Sequence, residues 1–165
     1  MKLSDNGIRT LKLCEGCVMR RDRHVIYDDK NGLPVAAGAP LPTGATIGYG
    51  HLIKPGEDFR GGIDENAATE LLRADLATTE QAVNGAITAD LRQNQFDALV
   101  MLCFNIGARN FASSTVVKYI NNPKFKSARY PTLAAAWRAW NRTGGHMSAG
   151  LTHRREIEWE LFNQV

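Results

Sequence analysis

The spacing of apolar positions changes twice along the chain, and the changes divide it into three stretches. Ser4 is a good N-cap, and Ile8, Leu11, Leu13 and Cys14 follow at helical intervals until Gly16 stops the run, which predicts a first helix ending at Glu15. From Val25 to Ile53 the residues turn β-branched and aromatic, broken by Asp28-Asp29, Asn31-Gly32, Pro34, Pro40, Pro42 and Gly44. That pattern predicts a small, turn-rich antiparallel sheet. Within it, the segment 30–45 is too rich in Pro and Gly for a helix and reads as an extended hairpin or loop.

After the breaks at Pro55-Gly56 and Gly61-Gly62 the periodicity is helical. Asp64 can cap a helix running through Leu71, Leu72 and Leu76 to about Val83, with Ile63 placed as a hydrophobic staple. Residues 93–106 carry Phe96, Leu99, Val100, Cys103 and Phe104 at three- and four-residue spacing before Gly107, the most apolar helix and therefore the central one. Shorter helices are predicted near 114–120, over 131–140 with Pro131 at the start, and over 151–162. The class is α+β with helices dominating, in one domain without repeats or linkers. A β-rich lobe over about 20–60 is expected beside a helical lobe over about 64–165 that also takes in the N-terminal helix.

Composition narrows the picture. A chain of 165 residues that is 44% hydrophobic can bury a full core without disulfides or metal. Its three cysteines are an odd number, which argues against an oxidised framework. Cys14-x-x-Cys17 is the only zinc or redox candidate, but it lacks a second pair or a histidine at ligand spacing, so both are read as small apolar side chains. No metal or cofactor is expected. The net charge of +3 is spread along the chain, which disfavours nucleic-acid binding and leaves a weak attraction for anionic polymers. Residues 1–7 contain no apolar export core, and no run of about 18 apolar residues occurs, so a soluble, cytoplasmic, monomeric product is expected.

The candidate chemistry is concentrated in the first third. Glu15 closes the first helix beside its apolar face, where partial burial would keep a carboxylic acid protonated. Asp29 follows the strand-like Val25-Ile26-Tyr27 and can face back toward that helix end, while strand parity turns Asp28 away. Both aspartates also suit a turn ahead of Asn31-Gly32. Thr46 lies in Thr46-Ile47-Gly48-Tyr49-Gly50-His51, where the glycines permit close approach of a backbone or a sugar and the hydroxyl can hold a water beside a carboxylate. One acid and one carboxylate with a positioned water form the set that hydrolyses a glycosidic bond.

These segments resemble the Glu-Asp-Thr triad of phage-type lysozymes, the T4 lysozyme-like glycoside hydrolase family 24. The resemblance extends through 93–100, Phe104-Asn105-Ile106-Gly107, Ser113-Ser114-Thr115, 137–141 and Gly150-Leu151 with Arg154-Arg155-Glu156. It implies a lysozyme-like fold with a cleft between lobes, and hydrolysis of the β-1,4 bond between N-acetylmuramic acid and N-acetylglucosamine in peptidoglycan. Host lysis would follow, with a separately encoded holin supplying passage through the membrane. By the same resemblance Glu15 is the general acid, Asp29 the base or electrostatic stabiliser and Thr46 the water-holding partner, with inversion at the sugar. Leu52, Phe104, Asn105 and Thr115 line the sugar site, and His51 pairs structurally with Asp75. One departure stands out: thirteen residues separate Glu15 from Asp29 and sixteen separate Asp29 from Thr46, both longer than the family's usual intervals. Arg154 and Arg155 are read as solvated charges, one of them a candidate to approach and orient Glu15, and Trp137, Trp140 and Trp159 as packing residues. A lytic transglycosylase and a noncatalytic wall-binding module are the competing readings.

Overall fold

The computed structural model describes residues 1–164. Helix α1 (Asp5–Glu15) begins at Ser4, whose Oγ accepts from the Gly7 amide at 3.1 Å. It is followed by the hairpin β1 (Met19–Arg20) and β2 (Arg23–His24), then by β3 (Tyr27–Asp28), β4 (Leu33–Pro34), β5 (Ala45–Ile47) and β6 (His51–Leu52). The last four form one antiparallel sheet in the order β4-β3-β5-β6. Helices α2 (Glu65–Ala86) and α3 (Gln93–Ile106) come next, then α4 (Ala108–Ser113), α5 (Thr115–Asn121) and α6 (Leu133–Arg138). A second hairpin, β7 (Arg142–Thr143) with β8 (His146–Met147), leads into α7 (Ala149–Asn163).

The chain divides into two compact units, residues 12–75 and residues 1–11 with 76–165. In the first, Ile26, Ala45, Ile47, Ile63 and Ala68 make a small core. Asp64 Oδ1 accepts from the Ala67 amide at 2.8 Å, so Asp64 caps α2, and Ile63 just before it packs with Ala68 as a staple. In the second, α3 packs along α7, and every residue from Phe96 to Cys103 is buried. Capping explains the other helix starts: Ser114 accepts from Val117, Thr132 from Ala135 and Ser148 from Leu151. Thr132 therefore opens α6, and Pro131 stands outside the helix it was expected to begin.

The buried charges of the second unit correct the reading of Arg154 and Arg155 as solvated. Arg154 is 7% exposed, and Arg155 and Glu158 are wholly enclosed. Arg154 Nε donates to Glu158 Oε1 at 3.1 Å and Arg155 Nη2 to the same oxygen at 2.7 Å, while Trp137 Nε1 donates to Oε2 at 3.0 Å. Burial pushes the Glu158 carboxyl up, against the lowering effect of both arginines. Trp137 is fully buried against Trp159 and Phe162, the packing role expected of it.

Gly7 shows how tightly α1 is held at its start. Asp97 is buried and accepts from the Ser4 amide at 3.0 Å, from the Ser4 hydroxyl and from Gln93 Nε2 at 2.8 Å. A Cβ on Gly7 would sit 2.8 Å from Asp97 Cγ and 2.7 Å from Leu3 Cδ1. Because Asp97 is fixed by these bonds, Gly7→Ala should lower stability by about 1–3 kcal/mol, despite alanine's better helix propensity, as read by urea denaturation.

Candidate active site

Strand register decides which side chains share a face of the sheet. Tyr27 pairs with Pro34 on one side and with Thr46 on the other, and Thr46 pairs with Leu52. Tyr27, Thr46 and Leu52 therefore project from one face, and Asp29, two residues beyond Tyr27, falls on the same parity. The opposite face carries Ala45, Ile47 and His51, all buried. On the first face Leu52 is 57% exposed and Asp29 is exposed, whereas Thr46 is buried.

The two aspartates behave differently. Asp28 Oδ1 accepts from the Lys30 amide at 3.0 Å and its Oδ2 from Asn31 Nδ2 at 3.3 Å, the bonding of a turn-forming carboxylate. The Asp29 amide bonds the Gly44 carbonyl at 3.3 Å, and its exposed carboxylate makes no hydrogen bond among the described residues. Glu15, the last residue of α1, is half-buried with its Oε1 fully enclosed. Tyr27 lies within electrostatic reach of both: burial, then the charges of Asp29, Glu15 and Cys17, push its phenol up. Tyr27 thus stays a proton-bearing donor beside two carboxylates. The sequence alone assigns it no role.

Thr46 is 3% exposed, and its hydroxyl donates to the Gly44 carbonyl at 3.0 Å. That bond uses the only proton of the hydroxyl, so its remaining capacity is as an acceptor. The glycines of the motif serve the turn between β5 and β6: Gly48 has φ +62° and Gly50 φ +96°. Close approach holds for Gly48 alone, where a Cβ would stand 3.4 Å from Ala68 of α2, and its neighbour there is protein, not an open surface.

The same unit holds a polar network that the sequence does not reveal. Glu65, the first residue of α2, accepts from Lys12 Nζ at 2.6 Å, binds His24 Nε2 at 2.8 Å and accepts from the Tyr49 hydroxyl at 2.9 Å. It ties α1 one turn before Glu15 to β2 and to the motif of Thr46. Desolvation pushes the Glu65 carboxyl up, but the hydrogen bonds from Lys12, His24 and Tyr49 outweigh it and hold it at about 2. A carboxyl depressed from 4.5 to about 2 contributes stability that is present above the unfolded value and is lost as pH falls toward the folded one. Urea denaturation between pH 7 and pH 2.5 should show this: Glu65→Gln is less stable than the parent at neutral pH, and the two curves converge in acid.

His51 Nδ1 lies 2.9 Å from Asp75 Oδ2, and its Nε2 lies 3.0 Å from Glu57 Oε2. The imidazole is 5% exposed and stands between two carboxylates, of which the sequence suggested one. In the helical unit, Phe104 and Thr115 are half-buried and Asn105 is exposed, its Oδ1 accepting from Arg155 Nη2 at 2.9 Å. Two pockets of that unit, ≈ 330 and ≈ 370 Å³, hold Thr115 and Asn105 respectively in their walls. Both also include Asn110 and Trp140 in their walls.

Cys14 is half-buried and Cys103 buried, but Cys17 is exposed, not an apolar packing residue. Burial, then the Glu65 charge, pushes Cys17 up, and burial pushes Cys103 up to about 11. Neither thiol is a ready nucleophile at neutral pH.

The family model of phage lysozymes matches residues 15–158. The chain belongs to the phage lysozyme family. Among its members, the endolysin of Salmonella phage P22 is 35% identical over 158 residues, covering 94% of each chain. The endolysin of Bacillus phage PZA is 34% identical over 99% of this chain, which spans only 55% of that protein. Of solved structures, a P22 lysozyme mutant superposes with a TM-score of 0.76 at 33% identity, and the muramidase domain of SpmX from Asticaccaulis excentricus with 0.73 at 32%, each covering 99% of both chains. The lysozyme-like α+β fold read from the sequence is the fold of these relatives.

Proposed function

We propose that this chain is an endolysin-type muramidase, a single catalytic domain that hydrolyses the β-1,4 bond between N-acetylmuramic acid and N-acetylglucosamine in peptidoglycan. The observation that carries this reading is the common face of Tyr27, Asp29 and Thr46, with the Glu15 and Asp29 charges both reaching Tyr27. Glu15 gives its proton to the glycosidic oxygen as that bond breaks. A water donates one hydrogen bond to Asp29 and one to Thr46, whose own proton is engaged by Gly44, and its lone pair attacks the anomeric carbon. The water's proton passes to Asp29 while its oxygen remains on the sugar. Attack from the face opposite the leaving group inverts the anomeric centre.

Leu52 supplies an apolar sugar contact on the same face, and Phe104, Asn105 and Thr115 serve sugar binding in the helical unit. His51 with Asp75 holds the β5–β6 turn in shape. The domain works as a monomer on bacterial wall, without cofactor or nucleic acid, and reaches the wall through a pore made by a separately encoded holin. No described helix is long and apolar enough to cross a membrane.

Release of reducing ends from purified Gram-negative sacculi tests the function, and no release would refute it. The second carboxylate has its own test. Asp29→Asn should lose most activity, about a hundredfold, while Asp28→Asn loses little activity and some stability through its turn bonds. The opposite ranking would move the role to Asp28.

A further inference from the structure

Lys12 is the basic residue in the last turn of α1, three positions before Glu15. Side chains three apart on a helix are neighbours, and the helix dipole draws a cation toward the C-terminal end, where Glu15 stands. Left to its own helix, the Lys12 ammonium would pair with the proton donor. An opposite charge within about 4–6 Å favours the ionised carboxylate, the form that has no proton to give.

The structure turns that ammonium to α2 instead. Lys12 Nζ donates to Glu65 Oε1 at 2.6 Å and to Thr69 Oγ1 at 2.6 Å, and it stands 5.1 Å from the centre of the Tyr49 ring. The Thr69 hydroxyl donates its own proton to the Glu65 carbonyl at 2.7 Å, so toward Lys12 it can only accept. Glu65 is itself fixed: the Tyr49 hydroxyl lies 2.9 Å from both of its oxygens, and His24 Nε2 lies 2.8 Å from Oε2. His24 is fully buried with no partner for Nδ1 among the described residues, which places its ring proton on Nε2, pointed at Glu65. Desolvation raises the Glu65 carboxyl, the bonds from Lys12, His24 and Tyr49 lower it further, and at about 2 it stays ionised across the neutral range.

We infer that Glu65 is a positioning residue for the reaction: it holds the Lys12 ammonium on α2 and so keeps that cation off Glu15. The consequence for catalysis rests on the muramidase reading, which makes Glu15 the acid; the placement of the ammonium does not. The other titratable groups that meet around Tyr27 with Glu15 are Asp29 and Cys17, and none of the three is a cation. Tyr27, raised by burial and then by the charges of Asp29, Glu15 and Cys17, stays neutral. To these neutral and anionic groups a released Lys12 would add a positive charge.

The test is the titration of Glu15, followed by its carboxyl carbon resonance in isotope-labelled protein, in the parent, Glu65→Gln, Lys12→Met and the double variant. Glu65→Gln should move the Glu15 midpoint down by about one pH unit, and adding Lys12→Met should bring it back to within about 0.2 of the parent. Lys12→Met alone should leave it in place. On sacculi, the alkaline limb of the kcat/KM profile should move down by the same amount in Glu65→Gln and recover in the double variant. A purely structural defect would not recover, since Lys12→Met restores none of the bonds that Glu65→Gln removes. An unmoved midpoint in Glu65→Gln, or no recovery in the double variant, would overturn the assignment. So would a rise in Lys12→Met as large as the fall in Glu65→Gln, because two charges acting at a distance give that result without any holding. If the midpoints move as expected but the parent protein releases no reducing ends from sacculi, the muramidase reading fails and Glu65 stands as the residue that holds Lys12.

Discussion

Glu15→Gln should abolish wall hydrolysis, with a loss of about a thousandfold or more, while far-UV spectrum and melting temperature stay at parental values. The amide has the size and shape of the acid but no proton to give the leaving oxygen, and general acid–base catalysis contributes about 10²–10⁴ in rate. Glu15 ends α1 with one oxygen enclosed, so the substitution replaces a half-buried group by its isostere and leaves packing in place. Reducing-end release from sacculi under matched conditions gives the ratio. Activity within a few-fold of the parent would remove Glu15 from the mechanism and with it the pairing of acid and base across Tyr27.

The largest effect on stability is expected at Glu158. Its carboxylate is fully enclosed and receives Arg154, Arg155 and Trp137 together. Glu158→Ala leaves one fully buried and one nearly buried guanidinium, and an indole N–H, without that acceptor; breaking a buried pair from one side costs about 3–5 kcal/mol. Asn105 Oδ1 and the Trp140 carbonyl, at 2.9 and 3.1 Å from Arg155, keep part of its bonding and place the loss toward the lower end. Urea denaturation reads the change directly. A loss below about 1 kcal/mol would mean that water or rearranged side chains replace the carboxylate.

How much of this was legible in the sequence depended on the range of the signal. The α3 boundaries, 93 and 106, follow from an uninterrupted apolar period closed by Gly107, and Ser4, Asp64 and Ser114 mark their helix starts through local hydrogen bonds. The hairpins of Met19–His24 and Arg142–Met147 were missed because they lack the run of β-branched and aromatic residues that marks 25–53. Helix α4, six residues with Phe111 as its one buried anchor, is likewise too short to show a period.

Long-range pairing was the harder part. Arg154, Arg155 and Glu158 have the three- and four-residue spacing of charges on a solvated helix face, and only the packing of α7 reveals them as buried. Glu65 is an ordinary acidic residue at a helix start until His24 and Tyr49 arrive beside it. The sequence offers the candidate site residues as types in order, and the lengthened intervals around Asp29 leave their spatial relation open. The register between Tyr27 and Thr46 supplies the common face that the spacing alone leaves open.

The most direct test of the account is digestion of purified sacculi in water enriched in heavy oxygen, followed by mass spectrometry of the released muropeptides. Hydrolysis by Glu15, Asp29 and Thr46 predicts reducing N-acetylmuramic acid ends that each carry one oxygen from solvent. Anhydro ends free of solvent oxygen would contradict it, because the water assigned to Asp29 and Thr46 would then have no part in the reaction.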